Sequence, residues 1–210
     1  TENQKLLDQN SANQIFSYLG LPIPDGVITS NPADADEYVN QIGWPVVLKT
    51  AEPNQVHKSD SGGVVTNISS FVELRKSWLK LSPNQDLPLQ VQKQIKNDYE
   101  LILGFKRDPN FGNYIAFGLG GKLVNLTQDA NLALFPLSKN KILNLLNSSR
   151  YSKLYVGYRD YPQINIDKLA ENILLLGQLF DQYPKIAEME INPIIVNSGG
   201  HYFSDIKVYL

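Results

Sequence analysis

Apolar residues recur at helical spacing in the longer windows of this chain and at strand spacing in the shorter ones. Ala35, Tyr38, Val39 and Ile42 stand at i, i+3, i+4 and i+7, which predicts one buried helix face. Asn31 suits the cap before that run, Pro32 the first helical position, and Asp34 follows the cap by three residues. A second stripe of Ile166, Leu169, Ala170, Ile173 and Phe180 predicts a helix through "NIDKLAENILLLGQLF". Ser70 caps a helix in "FVELRKSWLKL", and "SKNKILNLLN" reads as another. Residues 1–18 read as one or two polar helical turns leading into the Pro/Gly connector "GLPIPDG". Six shorter runs read as strands: "GVIT", "WPVVLK", "GVVTNI", "PLQVQKQI", "ELILGFKRD" and "YIAFGLGG". The chain closes on two more, "AEMEINPIIV" and "HYFSDIKVYL". Elements alternate early and strands cluster later, so the expected class is α+β built from α/β lobes, with a boundary near "QIKNDYE".

The closing hairpin has a register that can be read in advance. With Ser198 and Gly199 as the two loop residues, Asn192 faces Asp205, Glu190 faces Lys207, and Ile194 faces Phe203. The period of two puts Glu188, Glu190 and Asn192 on one face. Carboxylate and amide oxygens so gathered suit Mg²⁺, which takes few protein ligands and fills its shell with water and phosphate. A solvated strand end with a Glu190–Lys207 surface pair fits the same spacing.

Composition narrows the field. The chain of 210 residues suffices for one large domain or two small lobes, and a net charge of −2 without basic clusters argues against a nucleic-acid binder. Absence of cysteine excludes thiol catalysis. No apolar run approaches the roughly 20 residues of a membrane span and no signal peptide is visible, so a cytoplasmic enzyme without membrane contact is expected. The first residue is Thr1 and the single methionine is Met189, which suggests a processed chain or a fragment.

Several loops carry candidate chemistry. Lys49 ends a strand, either snorkelling from a half-buried position or reaching into a cleft. Gly62-Gly63 and Gly118-x-Gly120-Gly121 allow backbone to approach a ligand, and serve ordinary turns equally well. "RDPNFG" reads as a tight turn, and His201 carries no assigned chemistry. His57, in a polar Ser/Gly-rich loop, is idle, a general base, or a nucleophile that carries a group covalently.

Three segments in order, "GWPVVLKTAEPNQVHKSDSGGVV", "ELILGFKRDPNFGNYIAFGLGG" and "AEMEINPIIV", carry a family resemblance. The chain resembles the ATP-grasp subunit or domain of the ADP-forming acyl-CoA synthetases, relatives of the nucleotide-binding subunit of succinyl-CoA synthetase. The likeness spans about Asn13 to Leu210 and rests on the HKSD-x-GG loop, the RDP-x-FG turn and the (E/D)INP strand together. It implies an ATP-grasp fold, two lobes clasping a nucleotide. Residues 1–24 would be a helical lead-in, 25–95 the lobe with the phosphate loop, and 96–210 the lobe with the metal-binding hairpin.

The same resemblance assigns roles. Lys49, with Gly62, Gly63, Gly120 and Gly121, would meet the nucleotide phosphates. The segment Val91 to Ile95, through Gln92 and Gln94, would lie along adenine, with Glu100 nearby. Asn192 and Asp205 match the Mg²⁺ positions, and Glu190 holds the acidic place beside them. His57 would relay a phosphoryl group to ADP, so ATP/ADP and Mg²⁺ are the implied cofactors. A CoA-binding and acyl-binding subunit or domain is the implied partner. Two positions depart from the family pattern: Asn125 stands for a glutamate and Ala133 for an arginine, while Asp129 is kept. A degenerate, non-catalytic ATP-grasp module in a longer synthetase-like or acetyltransferase-fused protein is therefore a second reading. A carboxylate–amine ligase, which has no need of the histidine loop, is a third.

Overall fold

The computed structural model describes residues 5–51, 62–84, 87–120 and 130–210. The chain divides into two compact units, one of Thr1–Leu7, Ala12–Ile23 and Lys96–Leu210, the other of Asp8–Ser11 and Pro24–Ile95. Helix α1 (Gln9–Tyr18) contributes to both, with Ala12 and Phe16 fully buried in the core of the former.

The unit of Pro24–Ile95 is an antiparallel sheet of order β1-β4-β2-β3: β1 (Gly26–Thr29), β2 (Val46–Thr50), β3 (Val64–Ile68) and β4 (Leu89–Lys93). One sheet face packs on α2 (Pro32–Ile42) and α3 (Phe71–Leu81). Val46, Leu48, Leu89 and Val91 meet Ala35, Val39, Leu74 and Trp78 there, so the i, i+3, i+4 stripe of α2 is core. The predicted caps form. Asn31 accepts from Ala33 N and donates to Asp34 at 2.8 Å. Ser70 accepts from Glu73 N, and the Glu73 carboxylate accepts in return from Ser69 N at 2.8 Å and Ser69 Oγ at 2.9 Å. Those two bonds lower the Glu73 pKa.

The other unit is a six-stranded antiparallel sheet of order β10-β8-β5-β6-β7, with β9 also on β8. Its strands are β5 (Tyr99–Asp108), β6 (Gly112–Leu119), β7 (Ala130–Leu134), β8 (Glu188–Asn197), β9 (Gly200–Phe203) and β10 (Ile206–Tyr209). Helices α4 (Lys139–Ser148), α5 (Ser152–Tyr155) and α6 (Ile166–Gln182) cover one face. Leu101, Leu103, Phe105, Ile115 and Phe117 bury against Ile142, Leu146, Ile173, Leu176 and Phe180. The one-turn helix α5 has no counterpart in the apolar periodicity, being too short to show a repeat.

The "RDPNFG" turn is anchored from both ends. Asp108 accepts from the backbone N of Asn110 and Phe111 at 2.8 and 2.9 Å, an Asx-type turn. Arg107 reaches across to the end of α6. It donates to Ile186 O at 2.8 Å, to Tyr183 O at 3.2 Å and to Phe180 O, with its guanidinium over the Phe180 ring. A cation there satisfies carbonyls that the helix leaves without partners and complements its dipole.

The terminal hairpin pairs in the expected register: Ile194 with Phe203, Glu190 with Lys207, Glu188 with Tyr209. The expected single return strand is two, because the chain breaks step at Ser204 and Asp205. Against β5, β8 carries one extra residue at Asn192-Pro193, where Pro193 has no N–H for the ladder. Asn192 N still donates to Asp205 O at 3.0 Å, so these two residues remain partners across the interruption.

Candidate functional site

The face of the six-stranded sheet turned away from its helices is where the predicted metal residues lie. Register places Tyr209, Glu188, Lys106, Tyr114 and Leu134 in one row across it. Lys207, Glu190, Gly104, Ala116 and Leu132 make the next row. Asn192 and Asp205 follow on the β8–β10 side, with Ile102, Gly118 and Ala130 on the other. The face is thus polar on β10 and β8 and small or apolar on β6 and β7. At Gly104 a Cβ would meet only Ala116, at 4.0 Å, so the floor beside Glu190 is open.

The carboxylates of this face act on one another's surroundings. The Tyr209 phenol pKa is raised by burial and then by the charges of Glu190, Glu188 and Asp205. Lys106 binds Glu188 at 3.3 Å and offsets part of that field. Burial disfavours charge of either sign, but the carboxylates of Glu190, Glu188 and Asp205 favour a cation, and Asn192 and Asp205 offer hard oxygen donors. This donor set fits Mg²⁺. Among the described residues no three His, Asp or Glu side chains converge as a self-sufficient metal site, so an ion held here would need further ligands. Mg²⁺ sites of one or two protein ligands take the rest from phosphate and water.

In the other unit, the helix-free face of the four-stranded sheet holds Lys49. Gln90 pairs directly with it from β4, and Val47, Gln92 and Gly26 form the neighbouring row. Gln90 and Gln92 are both buried, so this face is polar yet shielded. The family resemblance singles out Gln92 but not Gln90, for which the alternation in "LQVQK" is the available signal. Gln94 is engaged elsewhere. Its amide accepts from Asn67 N at 2.6 Å and donates to Asn67 Oδ1 at 2.7 Å. That brace holds Asn67 in the left-handed region at φ 59°.

The candidate glycines differ in what they require. Gly62 has φ +74° with open space around it, so its need is conformational. Gly120 has the opposite need: a Cβ there would stand 2.6 Å from Leu101 O, against β5. Its N–H donates to Glu100 O at 2.9 Å, and the Glu100 carboxylate accepts from the Asn97 amide. Gly63 is buried beside Thr50, whose N–H donates to Gly63 O at 3.0 Å. His57, Gly121, Asn125 and Asp129 lie outside the described residues.

Two further residues bear on the assignment. Ala133 pairs with Ile115 and packs on the helix-covered core, on the opposite face from Glu190 and Asn192. His201 is also on the core side. Its Nε2 accepts from Asn172 Nδ2 at 2.9 Å, and burial, then the charge of Lys168, pushes its pKa down to about 4. It is a neutral core histidine. No helix among the described residues is long and apolar enough to cross a membrane.

The ATP-grasp domain model matches residues 1–210. The chain is 31% identical over its whole length to the β subunit of acetate–CoA ligase [ADP-forming] I of Pyrococcus furiosus, covering 93% of that protein. Acetate–CoA ligase [ADP-forming] I of Archaeoglobus fulgidus is 30% identical over 99% of this chain, which spans only 32% of that longer protein. A solved structure of the dinucleotide forming acetyl-coenzyme A synthetase 1 of Ca. Korarchaeum cryptofilum superposes with a TM-score of 0.83 at 32% identity. It covers 97% of this chain and 92% of that one, holds coenzyme A and Mg-AMPPCP, and has a phosphohistidine segment pointing towards the nucleotide binding site. The chain belongs to the ATP-grasp family, in the branch of the ADP-forming acetate–CoA ligases.

Proposed function

We propose that this chain is the nucleotide-binding ATP-grasp subunit or domain of an ADP-forming acyl-CoA synthetase. The reaction is acyl-CoA + ADP + phosphate ⇌ carboxylic acid + CoA + ATP, completed by a partner subunit or domain that binds CoA and the acyl group. The observation that carries this reading is the 31% identity running through the whole chain and 93% of a β subunit named for that activity.

In this reading, residues 1–24 lead in, 25–95 form the phosphate-loop lobe and 96–210 the metal-hairpin lobe. Lys49 places its ammonium at the nucleotide phosphates, beside the backbone of Gly62 and Gly63. Gln92 and Gln94 mark the strand along adenine, with Glu100 nearby and Gly120-Gly121 at the phosphates. Asn192 and Asp205 would hold Mg²⁺, with Glu190 beside them; when bound, the ion offsets negative charge on the phosphates. His57 takes a phosphoryl group from a histidine of the partner, its new P–N bond forming as the partner's P–N bond breaks. The new bond breaks in turn as an oxygen of the ADP β-phosphate attacks phosphorus, leaving ATP and a free imidazole. Covalent relay replaces one long transfer by two short ones, and Lys49 steadies the charge that develops in each. The degenerate-module reading loses one of its two supports, because Ala133 lies on the face opposite Glu190 and Asn192.

Calorimetric titration of ADP and ATP, with and without Mg²⁺, tests the site. Micromolar, Mg²⁺-dependent binding is expected, weakened at least about tenfold in Asn192→Ala, a loss of about 1.4 kcal/mol or more. His57→Ala is expected to abolish phosphoryl transfer while leaving ADP affinity unchanged. No nucleotide binding by the intact protein carrying this chain would overturn the proposal in favour of the non-catalytic module.

A further inference from the structure

On the four-stranded sheet, the face that carries Lys49 holds two glutamines whose surroundings are at odds with their chemistry. Pairing sets Ile28, Gln90, Lys49 and Val64 in one row across β1, β4, β2 and β3. Gly26, Gln92 and Val47 make the next row. Leu89 and Val91 belong to the helix-covered core, so the alternation of β4 commits both glutamines to the other face. Each is only 3% exposed, yet no hydrogen bond joins either side-chain amide to another described residue. Buried polar side chains are nearly always partnered, because an amide taken from water without a partner is destabilising.

Gln92 falls in the strand already proposed to lie along adenine, and Gln90 stands just before it. The side chains directly opposite Gln90 are Ile28 and Lys49, and Val47 lies on its diagonal. Ile28 and Val47 offer no hydrogen bond. Lys49 has donors alone, so it can serve the amide oxygen of Gln90 but never its two N–H groups.

The chemistry of a primary amide limits what a bound molecule can offer it. One acceptor oxygen and two N–H donors lie in a single plane. Bare phosphate is a poor match, since its oxygens accept and the amide oxygen would face like polarity. The complement is a flat group with a donor and an acceptor side by side. Adenine presents such a pair in N6–H and N7, and glutamine binds it in two places, Oε1 accepting from N6 and Nε2 donating to N7. Guanine presents two acceptors there, O6 and N7, which leaves Oε1 against one of them. Ile28 and Val47 supply apolar surface for a ring, while Lys49 in the same row supplies charge for the phosphates.

We infer that Gln90 selects the base: its amide takes the N6/N7 edge of adenine, so the chain prefers adenine to guanine nucleotides. This rests on the nucleotide site proposed above and adds to it the residue that chooses the nucleotide. The test is calorimetric titration of ADP, GDP and 7-deaza-ADP (C–H in place of N7), each with Mg²⁺, into the intact protein carrying this chain and into its Gln90→Leu variant. The wild type is expected to bind ADP at least about tenfold more tightly than either analogue. Gln90→Leu should lose at least about tenfold in ADP affinity, reduce the preference over GDP and bind ADP and 7-deaza-ADP equally. Its thermal midpoint without nucleotide should not fall, because leucine replaces an amide that has no partner; a glutamine serving only the sheet would give the reverse. A wild type that binds all three alike overturns the inference and leaves the nucleotide site standing. So does a variant that keeps both preferences, which would assign the amide to ordered water. A wild type that binds none of the three overturns the nucleotide site and this inference with it.

Discussion

Arg107 offers the sharpest test of how the larger unit is held together. It bonds the carbonyls of Phe180 and Tyr183 at the end of α6 and of Ile186 in the segment that follows, and lies over the Phe180 ring, 4.3 Å from its centroid. Hydrogen bonds from a charged donor contribute about 1.5–3 kcal/mol each. Two of the three are part-buried, while Tyr183 stands at the exposed rim where water replaces the lost donor. Counting the two shielded bonds at the low end and about 0.5 kcal/mol for the ring contact, Arg107→Ala should cost about 3–4 kcal/mol. Arg107→Lys keeps a charge at the helix end but cannot serve carbonyls in several directions, and should cost about 2 kcal/mol. Urea unfolding followed by far-UV circular dichroism measures both. Tryptophan fluorescence is the wrong probe, since Trp44 and Trp78 both belong to the Pro24–Ile95 unit. A loss below about 1 kcal/mol for the alanine variant, or full stability with lysine, would refute the claim that the fork of Arg107 closes α6.

Three further outcomes follow from single contacts. His201 is neutral in the fold with its pKa near 4, against 6.5 for the ordinary imidazole, so neither state is protonated above pH 6.5. As pH falls from 6.5 to 4 only the unfolded chain takes up the proton, and stability drops by about 3 kcal/mol; His201→Gln should remove that part of the slope. An unchanged pH dependence of the urea midpoint in the variant would contradict it. Gly120→Ala drives a Cβ against Leu101 O and should cost about 1–3 kcal/mol in thermal or urea unfolding without any ligand present; a neutral effect would show that β5 and β6 are further apart. Ser70→Ala removes the cap of α3 and should cost about 1 kcal/mol, detectable by tryptophan fluorescence because Trp78 sits in that helix.

Much of the candidate site was legible because its residues are neighbours in a short hairpin. Once Ser198 and Gly199 occupy the loop, the period of a strand pairs Glu190 with Lys207 and brings Asn192 to Asp205. Those relations need only local geometry. The helix caps at Asn31 and Ser70 were legible for the same reason, since donor and acceptor lie within a few residues. Gln90 shares a face with Gln92 by the alternation in "LQVQK", but that it stands directly opposite Lys49 depends on the pairing of β4 with β2. The departure at Ala133 could not be weighed from the chain alone: that it lies on the helix side of the sheet, away from Glu190, depends on the pairing of β7 with β6.

Most of the helices and strands, the caps at Asn31 and Ser70 and the register of the closing hairpin could be read from residue order, because each rests on contacts between residues close along the chain; the one-turn α5 and the strand β7 could not. Features with distant partners emerged only from the folded arrangement. It gave Arg107 the carbonyls of Phe180, Tyr183 and Ile186, at and just beyond the end of α6 and 73 to 79 residues away. It set His201 against Asn172, where burial keeps the ring neutral. It also aligned Glu188, Glu190 and Asp205 around Tyr209 and set β7 at the sheet's edge, where Lys141 donates to Leu134 O. Local patterning sets which face of an element is apolar; the order of strands in the sheet sets what that face meets.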